Sequence, residues 1–235
     1  MTVVVIPWRA QESRLAALDA VTAWYRENLP AAEIRLVDCE DVMFNLAQAR
    51  NLGVASVDDP DSVVVIGDAD TIPQRESLLA AIAGAAESGR VHLPYTEYRW
   101  LGASGTAQFT AGAALVDADF ELVRGACSGV YVTTPRTWAS HGGQDERFRG
   151  WGFEDAAWYL AHSTILGEPP RRHEGRVYAL HHVAAERAGE QYEANAAHME
   201  RYKAAASDPV AMSALVDEGL AESARNASTG PGSAA

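Results

Sequence analysis

Residues 63–73 read VVVIGDADTIP. Four apolar residues and Gly67 run straight into two aspartates, Asp68 and Asp70, with one alanine between them. An unbroken apolar run of this kind marks a strand covered on both faces, as in a parallel sheet. In extended backbone, residues two apart point to the same side, so Asp68 and Asp70 face one cavity while Ala69 turns away. Two carboxylates that close repel each other, and a divalent cation between or beside them resolves the conflict. All-oxygen ligands favour Mg²⁺ or Mn²⁺, which keep waters and share a substrate's phosphates. An acidic turn ended by Pro73 is the plainer reading of a bare DxD, so its neighbourhood has to decide.

Upstream, TVVVIP (2–7) reads as a buried strand, RLAALDAVTAWYRENL (14–29) as an amphipathic helix and EIRLVD (33–38) as a second strand. FNLAQARNLGVASV (44–57) is helical, and DDPDS (58–62) is a turn. Downstream come a helix over 76–89 with a glycine stop and a strand over 90–95. Strands alternating with helices imply βαβ units, an α/β fold and a mainly parallel, Rossmann-like central sheet flanked by helices. Sheets of this kind bind ligands beyond the carboxyl ends of their strands, where the aspartate pair falls.

The second half is less regular. A strand leading into a short helix is read at 128–138, a loop at 140–153, a helix at 154–166 and a strand at 176–183. The chain divides into a domain at 1–188, a helical extension at 189–225 and a low-complexity tail at 226–235 expected to be disordered. The glycine-bearing segment 100–112 and the glycines around Trp151 are candidate lids.

The 235 residues carry a formal net charge of −13. Such a surface argues against nucleic acid or an anionic membrane as partner. A phosphate-bearing ligand would therefore need a local reversal of sign. Two widely spaced cysteines, Cys39 and Cys127, form no disulfide framework or zinc knuckle. The opening MTVVVIPWR lacks a basic n-region, and no apolar stretch nears the roughly 20 residues of a membrane span. A cytoplasmic protein without stable membrane insertion is the expectation.

FRGWGFED (148–155) sets Trp151 between Gly150 and Gly152 and then places Glu154 and Asp155 at a helix start, where acidic residues also suit the helix dipole. An aromatic flanked by glycines suits an exposed ring on a loop, the usual platform for a sugar face. GGQDERF before it adds Asp145 and Glu146, and ALHH places His181 and His182 at a strand end, pointing opposite ways.

In order, VIPWR, FNLAQARNLG, GDADTIP, GGQDERFRGWGFED and ALHH resemble the GT-A glycosyltransferases over about residues 3–185. The likeness is greatest to the β-1,4-galactosyltransferase type and to bacterial family-2-like and polypeptide N-acetylgalactosaminyltransferase enzymes. It implies a metal-dependent enzyme moving a hexose from a UDP-sugar, with Mn²⁺ (or Mg²⁺) held by Asp70, Asp68 and a histidine, His182 or else His181. Pro7, Trp8 and Arg9 would line the nucleotide site and Phe44 would pack on the uracil. Arg50, on the same helix as that motif, would approach the diphosphate, unless it is an ordinary surface arginine. Trp151, Glu154, Gly152 and Asp145 would meet the sugars, and Asp155 would be the general base of an inverting displacement. Leu46 stands where a basic residue often follows FN, Phe153 replaces a glycine, and the acidic run stops at Ala156. Donor and acceptor are therefore not carried over: glycans, lipid-linked sugars and protein surfaces all stay open.

PWRAQESR (7–14) holds no glycine, against a sugar nucleotidyltransferase, and no GxGxxG follows the first strand, against a dinucleotide oxidoreductase. A glycan-binding protein on a decayed transferase fold and a retaining transferase remain as alternatives.

Overall fold

A computed structural model of the chain describes residues 1–39, 41–183 and 188–229, apart from the side chains of residues 227 and 229. The valine-rich strands make the middle of the molecule. β1 (Thr2–Pro7) lies between β2 (Glu33–Val37) and β3 (Val63–Gly67), all parallel, with Val4 opposite both Ile34 and Val65. Every residue of β3 is buried, as its unbroken apolar run requires. α1 (Leu15–Asn28), entered through a 3₁₀ turn at Glu12–Arg14, connects β1 to β2, and α2 (Leu46–Ala55) connects β2 to β3. α2 lies close on the sheet: a Cβ on Gly53 would sit 2.2 Å from Val5 Cγ1, which only glycine permits.

β4 (Thr71–Pro73), α3 (Arg75–Ser88), β5 (His92–Leu93), β6 (Glu97–Trp100), α4 (Gly102–Thr110) and β7 (Glu121–Val123) follow. Then come β8 (Val130–Thr133), α5 (Pro135–Ser140), α6 (Glu154–Ile165), β9 (Arg171–Arg172) and β10 (Arg176–Ala179). The central sheet has the order β2-β1-β3-β8-β5-β9, with β8 antiparallel to both β3 and β5. A second sheet, β4-β10-β6-β7, stands beside it. This second sheet is unforeseen in the sequence, although β10 falls within the strand read at 176–183, because its strands are only three or four residues long. The strand expected at 90–95 shrinks to His92–Leu93. The segment 100–112, expected as a lid loop, is mostly α4 and is fixed: a Cβ on Gly105 would meet the Asp119 carbonyl oxygen at 1.9 Å.

The second sheet positions the site. Thr71 pairs with Ala179, and the Leu180 amide donates to the Asp70 carbonyl at 2.8 Å. That register delivers the chain after β10, with its two histidines, to the DxD.

The expected helical extension is two helices, α7 (Glu190–Ala205) and α8 (Pro209–Thr229). They form a second apolar cluster with α6, in which Phe148, Ala157, Ala161, Met199, Tyr202 and Met212 are buried. α8 continues through residues 226–229, which were expected to begin the disordered tail, and the rest of that tail lies outside the described residues. No helix among the described residues is long and apolar enough to cross a membrane.

Candidate active site

Asp68 and Asp70 follow β3, Arg50 rises from α2, Asp155 opens α6, and His182 follows β10. Arg50 is fully buried. Its Nη2 donates to Asp68 Oδ1 at 2.7 Å, and its Nη1 donates to Asp155 Oδ1 at 2.7 Å and to Gln144 Oε1 at 2.9 Å. The guanidinium lies over the Tyr131 ring, 5.0 Å from its centroid. Arg50 is thus neither a surface arginine nor free to approach a diphosphate, and both expectations are corrected. Its charge is spent inside the protein, tying the DxD to the start of α6.

Burial works against that charge, but Asp68, Asp155 and Glu154 together hold the Arg50 pKa well above its ordinary value. Three carboxylates around one cation leave an excess of negative charge, and a proton is the remaining remedy. Burial, reinforced by Asp155, pushes Glu154 up to about 8. Burial also raises Asp68, with Arg50 opposing. Folded Glu154 therefore keeps its proton at neutral pH, whereas an unfolded one loses it near 4.5. Between those values the folded state binds the extra proton, so stability falls as pH rises. Glu154→Gln should flatten that slope and be about 2–4 kcal/mol more stable than wild type near pH 8. Urea unfolding at several pH values checks this; parallel pH profiles for the two proteins would refute the buried proton.

Asp155 is poised differently. Both of its hydrogen bonds, from Arg50 and from the Tyr131 hydroxyl, fall on Oδ1, leaving Oδ2 without a partner among the described residues. The side chain is 23% exposed. The preceding Phe153, which stands where the resembled family has glycine, adopts φ 76°, a left-handed conformation costly for a bulky residue. That turn aims Glu154 and Asp155 inward as α6 begins.

At the other end, Asp70 Oδ2 lies 2.8 Å from His182 Nε2. The His182 Nδ1–H donates to the Val183 carbonyl at 2.9 Å, which orients the ring. Hydrogen bonding to Asp70 raises the His182 pKa, with burial opposing. His181 turns away: its amide donates to Thr106, and its ring lies beside Trp100. His182 is therefore the histidine that faces Asp70. Arg14, which no sequence motif marked, completes the corner, its Nη2 3.1 Å from Asp70 Oδ2 and 2.7 Å from His182 Nε2. Asp68 does not join this pair, and no three metal-ready side chains converge among the described residues. Two ligands nonetheless suit a hard cation that also takes a substrate's phosphates. A positive group already stands between them, in the guanidinium of Arg14. A histidine whose other ring nitrogen donates to a backbone carbonyl is also the usual form of a ligating imidazole.

The remaining candidates divide. Arg9 donates to Asp38 at 2.9 Å, to the Cys39 carbonyl at 2.7 Å and to the Val42 carbonyl at 2.9 Å, and its guanidinium lies 5.5 Å from the Phe44 centroid. With Trp8, whose amide donates to Val37, and buried Pro7, this gathers the candidate nucleotide residues at the ends of β1 and β2. Asn45 caps α2 by accepting from the Gln48 amide at 3.0 Å and ties the helix to the 140–153 loop by donating to the Glu146 carbonyl at 2.8 Å. Asn51, which the sequence did not mark, holds the same loop through the Gln144 carbonyl at 2.8 Å.

Asp145 is a correction. Its side chain is 6% exposed and receives Arg147, His198 and Tyr202, so it clamps α7 to the loop and has no capacity left for a sugar. Burial opposes the Asp145 charge, yet these partners hold its pKa well below the ordinary range. The loop is also less free than its glycines imply. Asn195 of α7 donates to the Arg149 carbonyl at 2.8 Å and to that of Gly152 at 3.3 Å. Trp151, 38% exposed, stacks against Tyr192 with ring centroids 6.1 Å apart.

No family model matches the chain, and no curated protein matches it in sequence. Solved structures do. Drosophila β-1,4-galactosyltransferase 7, as a variant in complex with manganese, UDP-Gal and xylobiose, aligns over 83% of this chain and 78% of its own. The identity is 14% and the TM-score 0.54. The catalytic domain of the same enzyme with xylobiose gives 17% identity and a TM-score of 0.52 over 83% and 79% of the two chains. GalNAc-T7 with UDP, GalNAc and Mn²⁺ gives 10% identity and a TM-score of 0.54 over 93% of this chain but 55% of its own. The chain has the GT-A fold. Within that fold Arg50 joins Asp68, after β3, to Asp155, at the start of α6, while Asp70 meets His182, after β10.

Proposed function

We propose that this GT-A domain is a metal-dependent hexosyltransferase, moving galactose, glucose or an N-acetyl derivative from a UDP-sugar to an acceptor hydroxyl with inversion. One observation carries the reading: Arg50 fixes one carboxylate of the DxD and one oxygen of Asp155, leaving the other Asp155 oxygen without a partner among the described residues. Asp70 and His182 would hold Mn²⁺ or Mg²⁺, and the structurally similar transferases were solved with manganese. When bound, the cation neutralises charge developing on the departing diphosphate.

The chain's own residues do the rest. Phe44, Arg9 and Trp8 receive the nucleotide. Trp151, stacked on Tyr192, offers an aromatic face to a sugar, and protonated Glu154 can donate to a sugar hydroxyl. Asp155 Oδ2 takes the acceptor proton as the oxygen attacks the anomeric carbon, while Arg50 and Tyr131 keep Oδ1 still. Glycans, lipid-linked sugars and proteins are all acceptors consistent with this surface, and a cytoplasmic setting fits it.

UDP and Mn²⁺ together should raise the melting temperature by about 5–10 °C at a hundredfold excess over Kd, far more than either alone. Asp70→Ala should remove that gain. No shift with the pair would overturn the reading. A non-catalytic nucleotide-sugar binder draws on Arg14 already filling the cation corner; UDP release across a panel of UDP-sugars separates the two.

A further inference from the structure

We infer that Arg14 is the resident counter-ion of the cation corner, which a divalent ion has to displace in order to bind. This rests on the assignment of Asp70 and His182 as metal ligands. With Nδ1–H donated to the Val183 carbonyl, neutral His182 presents a lone pair at Nε2. That lone pair and the Asp70 carboxylate both point at one N–H-bearing atom, Arg14 Nη2, at 2.7 and 3.1 Å. When Nε2 carries no proton to give Asp70, that lone pair and the carboxylate oxygen, only 2.8 Å apart, repel unless a positive group is shared between them.

Arg14 is held for this place. It ends the 3₁₀ turn and opens α1, and its side chain is 28% exposed. Its buried Nε finds no hydrogen-bond partner, so the side chain is fixed by the corner and not by its own surroundings. The same guanidinium cannot remain once a cation takes those two ligands, because like charges would stand at contact distance. A cation arriving alone must expel it into solvent. One arriving with a diphosphate brings new anionic oxygens to which the freed guanidinium can turn. The device therefore disfavours idle metal and favours the metal–nucleotide pair.

Mn²⁺ binding to the full chain, by calorimetry at one fixed pH above the histidine range, tests this without any turnover. Losing two charge-assisted hydrogen bonds to the ligands, Arg14→Met should bind Mn²⁺ alone about tenfold more tightly than wild type. Arg14→Lys, which keeps the charge, should stay near wild type, and the gain for Arg14→Met should shrink when UDP is present. Circular dichroism confirms that each variant is folded, and Asp70→Asn, which removes a ligand, should bind no Mn²⁺. If Asp70→Asn abolishes binding while Arg14→Met leaves it unchanged or weaker, the counter-ion role falls and the metal site stands. An equal gain in Arg14→Lys, or a gain undiminished by UDP, overturns the role as well. If Mn²⁺ binds to none of the proteins, with or without UDP, the metal reading itself fails.

Discussion

Arg50→Ala is expected to cost about 3–5 kcal/mol of stability, the usual penalty for removing one partner of a buried ion pair. The melting temperature should drop by roughly 10 °C or more. Three facts set the scale: the side chain is fully buried, it bonds two carboxylates at 2.7 Å, and Glu154 stands 4.0 Å away. Alanine leaves those carboxylates facing one another with no cation. The loss is electrostatic more than volumetric, so Arg50→Met, which refills most of the space, should recover little. Lys is a point charge and cannot span two acceptors in the fixed fork of a guanidinium, so Arg50→Lys should fall between. Protonation offers an internal control. As pH drops, Asp68, whose pKa burial already raises, takes up a proton, and the deficit of the alanine variant should shrink. Chemical unfolding at several pH values measures this, and a deficit that stays constant with pH would show that packing, not stranded charge, is what Arg50 supplies.

This network also marks the limit of what local sequence conveys. β1 and β3 were legible because a buried parallel strand writes itself as consecutive valines and isoleucines, and the aspartates were legible because they interrupt that run. The four-stranded second sheet was not, since TIP, EYRW and ELV are too short and too polar to show a period. Asp68, Asp70, Asp155 and His182 announced themselves as chemistry-bearing groups, but their partners did not. Arg50 and Asp155 are 105 residues apart, and Arg14 and His182 are 168 apart. Nothing around Arg50 in ARNLG distinguishes a buried arginine from a surface one; its partners Asp68, Gln144 and Asp155, distant in sequence, decide it. Asp145 misled for the same reason. Its three clamping partners include His198 and Tyr202, on a helix whose composition reads as a plain solvated face.

Asp155→Asn should lower kcat by about 10²- to 10⁴-fold while leaving the affinity for UDP and Mn²⁺ nearly unchanged. The asymmetry follows from the geometry. The nucleotide and cation candidates, Phe44, Arg9, Asp70 and His182, are contributed by elements other than α6, and none of them bonds to Asp155. What the substitution removes is a negative oxygen able to accept a proton at Oδ2, an interaction made only as the acceptor hydroxyl attacks. Such losses appear in kcat and kcat/KM together. The asparagine carbonyl can still accept from Arg50 and Tyr131, so the fold should persist with a modest loss of stability. Tyr131→Phe is the informative companion, because it keeps the carboxylate and removes one of the two groups that steady Oδ1. Its effect should be about tenfold or less, with the pH–rate profile displaced and not abolished. Initial rates of UDP release, paired with thermal shifts by UDP and Mn²⁺, separate the two roles. Wild-type turnover in Asp155→Asn would withdraw the base assignment and leave the carboxylate as no more than the far anchor of Arg50.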